Sequence, residues 1–223
     1  MEWTNAIENP FDLRRERGRD SATPLHRLTT AVMYDLPFGH GKRWLDTSPR
    51  AVDLILGGWQ MSMVGYLQSG NFLTPTISVP DPTGTRFTTA ATRPVISIRP
   101  DQLRDPQLAD PTIDRWFDVS AFGAPPIGRF GTAERGAIES PGLNLWHFGL
   151  LKRFRFSDHP GTPIFRIEAT ATNIFNHPQW ASPNVNVTPT NVSAGRISAI
   201  GGSAGAIQQA GMRSIRLGLR MEW

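Results

Sequence analysis

Apolar and polar residues alternate without a break over positions 214–223, ending on Trp223. Strand side chains point alternately to opposite faces, so Ile215, Leu217, Leu219, Met221 and Trp223 form one apolar face, and Ser214, Arg216, Gly218, Arg220 and Glu222 a polar one. Four earlier segments carry the same period of two. In 26–36, Leu28, Thr30, Val32, Tyr34 and Leu36 oppose Arg27, Thr29, Ala31, Met33 and Asp35. In 59–69, Trp59, Met61, Met63, Gly65 and Leu67 oppose a less clearly polar set. In 143–156, Trp146, Phe148, Leu150, Phe154 and Phe156 oppose His147, Gly149, Arg153 and Arg155, with Lys152 interrupting the apolar face. In 165–175, Phe165, Ile167, Ala169, Ala171 and Phe175 oppose Arg166, Glu168, Thr170 and Thr172.

These segments run about 10 to 14 residues, against roughly five or six for strands of soluble proteins and about 9 to 11 for a tilted strand crossing hydrocarbon. The expectation is therefore an all-β chain, an antiparallel transmembrane β-barrel segment with lipid on one face and a wet interior on the other. Counting back from a terminal strand that ends in the periplasm, 157–164 and 37–58 should be periplasmic connections, with Leu54-Ile55-Leu56 extending the second strand. The Pro- and Gly-rich stretches 70–142 and 176–213 should be long outer loops, with a helical turn near Asp114 to Phe117.

Composition sharpens this in a few places. No window approaches the roughly 18 to 20 apolar residues of a membrane-spanning helix. Cysteine is absent, so disulfides, thiolate metal sites and cysteine nucleophiles are excluded. The net charge of +4 comes almost wholly from arginine. The densest run, 12–20, interleaves acids with bases and has no aromatic platform, so it reads as a solvated loop with no nucleic-acid partner. The first residues show neither a basic nor an apolar signal region, so the chain is expected to begin inside a longer one.

Candidate chemistry is sparse. There is no Gly-x-Ser-x-Gly, and Gly201-Gly202-Ser203-Ala204-Gly205 lacks the Lys-Ser/Thr of a phosphate loop. Asp101, Asp105, Asp110, Asp114 and Asp118 are too widely spaced for a calcium loop and read as solvated turn formers. The expectation is a protein that is not an enzyme and holds no cofactor and no metal. The interior-facing candidates are His147, Arg153, Arg155, Arg166 and Glu168, and Trp146, Phe154, Phe156, Trp180 and Trp223 are candidates for interfacial girdles.

Several flanking motifs add a resemblance. They are Trp116-Phe117-Asp118-Val119-Ser120-Ala121-Phe122, Gly128-Arg129-Phe130-Gly131-Thr132-Ala133, Ser140-Pro141-Gly142, Asn173-Ile174-Phe175-Asn176-His177-Pro178, and Leu36-Pro37-Phe38-Gly39 with Gly57-Gly58-Trp59. In order and spacing the chain resembles the C-terminal barrel portion of TonB-dependent outer-membrane receptors, in particular the Oar-like kind with an N-terminal carboxypeptidase-regulatory-like domain. The resemblance implies about five strands of a roughly 22-stranded barrel, with the plug absent from this chain. It implies import of an unidentified solute, an oligosaccharide, peptide or metal chelate, across the outer membrane of a Gram-negative-type bacterium. Its implied partners are outer-membrane lipid, the remaining strands and plug of the parent receptor, the TonB system through that plug, and the barrel insertion machinery. That machinery would read Ile215, Leu217, Leu219, Met221 and Trp223 as an assembly signal. The alternative expectation is a soluble secreted β-sandwich that binds carbohydrate or protein.

Overall fold

The computed structural model describes residues 7–9, 11–80, 95–126, 128–156, 159, 161–201 and 211–223. In chain order the strands are β1 (Arg27–Asp35), β2 (Trp59–Gln68), β3 (Phe72–Leu73), β4 (Ile77–Pro80), β5 (Val95–Ile98), β6 (Asp101–Gln102), β7 (Phe122–Gly123), β8 (Ile138–Glu139), β9 (Leu143–Arg155), β10 (Ile164–Thr172) and β11 (Ser214–Glu222), with an α-helix, α1 (Arg50–Leu56), between the first two. The chain divides into a unit of Arg27–Leu67, Asn144–Pro178 and Gln209–Trp223, and a unit of Met1–His26, Gln68–Leu143 and Gln179–Gln208.

The first unit is one five-stranded sheet in the order β1-β2-β9-β10-β11. β10 pairs antiparallel with both neighbours. Leu36 N–H donates to Trp59 O at one end of the β1–β2 pair and Ser69 N–H donates to His26 O at the other, which sets these two antiparallel as well. The register aligns the alternating patterns. Phe165 faces Phe154 and Met221, Ala169 faces Leu150 and Leu217, and Ala171 faces Phe148 and Ile215. A slip of one residue would move an entire strand's apolar set to the opposite face, so the alternation itself locks the pairing. β1 and β11 are the edges of the sheet.

Two expectations about strand ends are corrected. Leu54-Ile55-Leu56 closes α1 and does not extend β2; Gly58, at φ +69, turns the chain into the strand. The fourth long strand stops at Thr172, so Phe175 lies beyond it. Asn173 takes a left-handed conformation at φ 51, its Nδ2 donates to His177 O and Gly211 O, and its Oδ1 accepts from His177 N–H. Asn tolerates this backbone and supplies partners that the ladder no longer provides. Residues 157, 158 and 160 of the expected short turn lie outside the described residues.

The second unit holds the short local elements of the long connections and a core among them. Ile77, Ile98, Phe117, Ala121, Phe122, Ala133, Ile138 and Val187 form a buried core of their own, framed by the pairs β3–β8, β4–β5 and β6–β7. Short strands between prolines suffice, because each proline ends a ladder without preventing the next. The helical turn falls later than expected, as a 3-10 turn at Val119–Ala121 in which Asp118 accepts from Ser120 N–H.

Candidate functional site

The polar face of the sheet carries a row of arginines. Arg166 of β10 lies directly opposite Arg153 of β9 and Arg220 of β11. Like charges in cross-strand register repel, and here Glu222 offsets them, 3.3 Å from both Arg166 and Arg220, with Glu168 3.8 Å from Arg166. Arg155 and Arg216 share the face, so β9 to β11 present arginines at 153, 155, 166, 216 and 220 against the carboxylates of Glu168 and Glu222. Such a surface attracts anions. His147 shares it but is set apart, half-buried and edge-on to Tyr66 at 5.8 Å between ring centroids. Six residues separate it from Arg153, ~20 Å along a strand. The wall candidates His147, Arg153, Arg155, Arg166 and Glu168 thus share one face without forming one cluster. Arg216, Arg220 and Glu222 complete the charged row. Their parity in the terminal strand alone places them on this face.

The opposite face is apolar and open. Ile215, Met221 and, most of all, Leu217 and Leu219, at 80% and 75% exposure, stand out from β11. Leu28, Val32 and Tyr34 are exposed on β1. A contiguous apolar surface of this extent marks contact with another apolar phase. Aromatics gather toward its two ends. Phe154 stacks on Phe165 at 5.6 Å and Phe156 packs edge-on against both. At the other end Trp146 meets Phe175, which stacks on His177. Trp146 and Phe154 are eight residues apart, ~26 Å along the strand and about 20 Å of height at membrane-barrel tilts, near the ~25 Å apolar band of such barrels. Trp180, another of the girdle candidates, belongs to the other unit, where it bridges Ile200.

Lys152 interrupts this apolar face and is buried. Its Nζ donates to Gly57 O at 2.6 Å and Ile55 O at 3.1 Å, at the end of α1, and lies 4.9 Å from the centre of the Trp59 ring. The 36–58 connection is shaped for this contact. Asp53 Oδ1 accepts from His40 N–H at 2.7 Å, and Gly39 and Gly57 approach that oxygen so closely that a Cβ at either would overlap it.

In the other unit, most of the run 12–20 is exposed as expected, but Arg15 and Glu16 turn inward. Glu8 and Glu16 hold the buried Arg99, each at 3.0 Å, while Arg15 pairs with Glu8 at 2.9 Å and Arg135 with Glu16 at 2.6 Å. Arg15 and Glu16 thus find their partners outside the run, in Glu8, Arg99 and Arg135. Asp101 is also buried, against Arg129 at 2.6 Å, which corrects the expectation of a solvated turn former there. The Ser120 hydroxyl, and after it the Arg104 guanidinium, hold the Asp118 carboxyl down at about 2. A cleft of about 290 Å³ opens beside Trp116, Phe117, Pro106 and Ile138. The motif residues Trp116, Phe117, Ala121, Phe122 and Asn173 serve packing and capping in this fold. Among the described residues no group of three or more His, Cys, Asp or Glu is placed to hold a metal ion.

A family model described as an outer membrane beta barrel domain matches residues 2–216, nearly the whole chain. Neither a curated protein nor a solved structure gives a match. The segregated faces, the aromatic ends and this match agree: the chain belongs to the outer membrane beta barrel domain family and is an outer-membrane protein.

Proposed function

We propose that this chain forms part of the barrel wall of a TonB-dependent receptor that imports a solute across the outer membrane and is not an enzyme. One observation carries the reading. The connections 69–142 and 173–213 both leave the sheet at the end where β2 and β10 finish, whereas the shorter 36–58 and 156–163 leave at the other. Outer-membrane barrels divide their connections in this way, with short ones in the periplasm and long ones outside. The ordered series of motifs resembling the receptor family, Trp116 to Phe122 and Asn173 to Pro178 among them, supports it further.

In this reading the arginine row faces the interior, 69–142 and 173–213 are outer connections, and the rest of the barrel, a plug and the TonB system complete the machine. The terminal strand from Ile215 to Trp223 addresses the chain to the insertion machinery. The test is import of labelled oligosaccharides, peptides and iron chelates by cells lacking this protein and by cells lacking TonB. The reading expects at least one solute whose uptake is lost in both. Uptake that depends on this protein but is indifferent to TonB would overturn it.

A further inference from the structure

We infer that α1 is an interfacial shelf on the lipid-facing side of the sheet, seated among phospholipid headgroups with Ile55 and Leu56 directed into the hydrocarbon. Three observations carry this.

The end of α1 is tied to the apolar face and not to the polar one. Ile55 O accepts from both Lys152 Nζ and Trp59 Nε1, and both side chains project from the apolar face. That attachment lies one cross-strand pair from Phe154 and Phe165, so the helix end stands at the level of the aromatic cluster. Aromatic clusters of this kind mark the membrane–water boundary in barrels.

The outward surface of the helix's C-terminal end is apolar. Ile55 is 67% exposed and Leu56 46%, whereas Asp53, the one carboxylate within α1, turns inward to His40 N–H. No anionic group of the helix therefore opposes entry into an apolar phase. These two side chains continue the lipid-facing surface of the sheet.

The same connection exposes three cations against one exposed carboxylate, Asp46. Lys42, Arg43 and Arg50 are all exposed; Arg43 lies over the Trp44 ring at 5.9 Å, and Arg50 Nη2 reaches Phe156 O at 2.5 Å, beside the aromatic cluster. An exposed apolar helix end on the same short helix as an exposed arginine, which itself reaches the aromatic cluster, has the composition of an interfacial element that meets phosphate headgroups. The choice of phospholipid rests on the orientation proposed above, which puts this connection at the periplasmic leaflet.

The chain lacks cysteine, so a single introduced thiol reports unambiguously. Ile55→Cys, Leu217→Cys and Arg153→Cys variants of the intact protein are purified from outer membranes and labelled with a polarity-sensitive maleimide. They are then reconstituted in phosphatidylethanolamine and phosphatidylglycerol vesicles. Nitroxide lipids labelled near the headgroup or deep in the chain, and aqueous iodide, serve as quenchers. The expected result is that the shallow nitroxide quenches the Ile55→Cys probe more than the deep one, that the order reverses at Leu217→Cys, and that only iodide reaches Arg153→Cys. Iodide quenching at Ile55→Cys with lipid quenching at Leu217→Cys would overturn the shelf and leave the membrane wall standing. Loss of lipid quenching at both positions would overturn both. A blue-shifted Ile55→Cys probe that no quencher reaches would overturn it in favour of a protein surface, a second copy included.

Discussion

The Lys152 ammonium lies 2.6 Å from the carbonyl oxygen of Gly57, at the one charged position on the apolar face of β9. A cation facing lipid would be costly without such a partner. The helix-terminal carbonyls at 55 and 57 and the Trp59 ring meet that need together. Lys152→Met should leave Gly57 O without its donor, while Ile55 O keeps Trp59 Nε1, and lower stability by about 1–3 kcal/mol. Urea unfolding of the protein in lipid measures it, and an unchanged midpoint would refute the role given to this contact.

Gly58 and Gly41 separate backbone strain from crowding. Both are left-handed, at φ +69 and +72, but a Cβ at Gly58 would fall 2.1 Å from Arg153 O whereas one at Gly41 meets nothing within 4 Å. Gly41→Ala should cost only the backbone term, about 1–2 kcal/mol. Gly58→Ala should cost clearly more and disturb the start of β2, read as faster amide exchange at residues 59–61.

Arg99 is the buried centre of the second unit's ion pairs. Arg99→Met leaves Glu8 and Glu16 each short of a partner, and breaking a buried pair from one side costs about 3–5 kcal/mol. Limited proteolysis should then cut within 95–143 at protease levels that spare the parent protein. Equal resistance would mean that Arg15 and Arg135 suffice for the two carboxylates.

Asp118 gives this unit an acid-sensitive corner. Its carboxyl is held at about 2 instead of the ordinary 3.8, so folding favours the ionised form. The resulting stabilisation is fully present above the ordinary value and is lost as pH falls toward about 2. Asp118→Asn should flatten the pH dependence of stability between about 4 and about 2, and an unaltered acid limb would count against this assignment.

Trp223 tests the terminal strand. It is 91% exposed and follows the row of Leu217, Leu219 and Met221. Trp223→Asp should reduce the amount of protein in the outer membrane without reducing synthesis, as read by fractionation and immunoblotting; full outer-membrane levels would remove the signal role.

The parts of the fold that could be read in advance are those whose physics is local. Alternation at 143–156 and 214–223 locates β9 and β11 to within a residue, because each position's face follows from its neighbours alone. The apolar run Leu54-Ile55-Leu56 has no such period, and helix and strand compete on equal terms there. Phe117 and Phe122 signalled a motif, but their core needs Ile77 and Val187, far away in the chain and separated by prolines. The arginine at 99 pairs with Glu8 across 91 positions, a relation that carries no local period at all.

Periodicity by itself therefore determined a two-faced sheet with strands of membrane length, because side-chain direction in a strand is set by residue parity. Closure of the chain on itself decided the rest. It brought a helix end to Lys152, joined Arg15 and Glu16 to Glu8, Arg99 and Arg135 in a shielded network, and gave the proline-rich connections a core, since each of these depends on distant groups meeting at hydrogen-bond or van der Waals range.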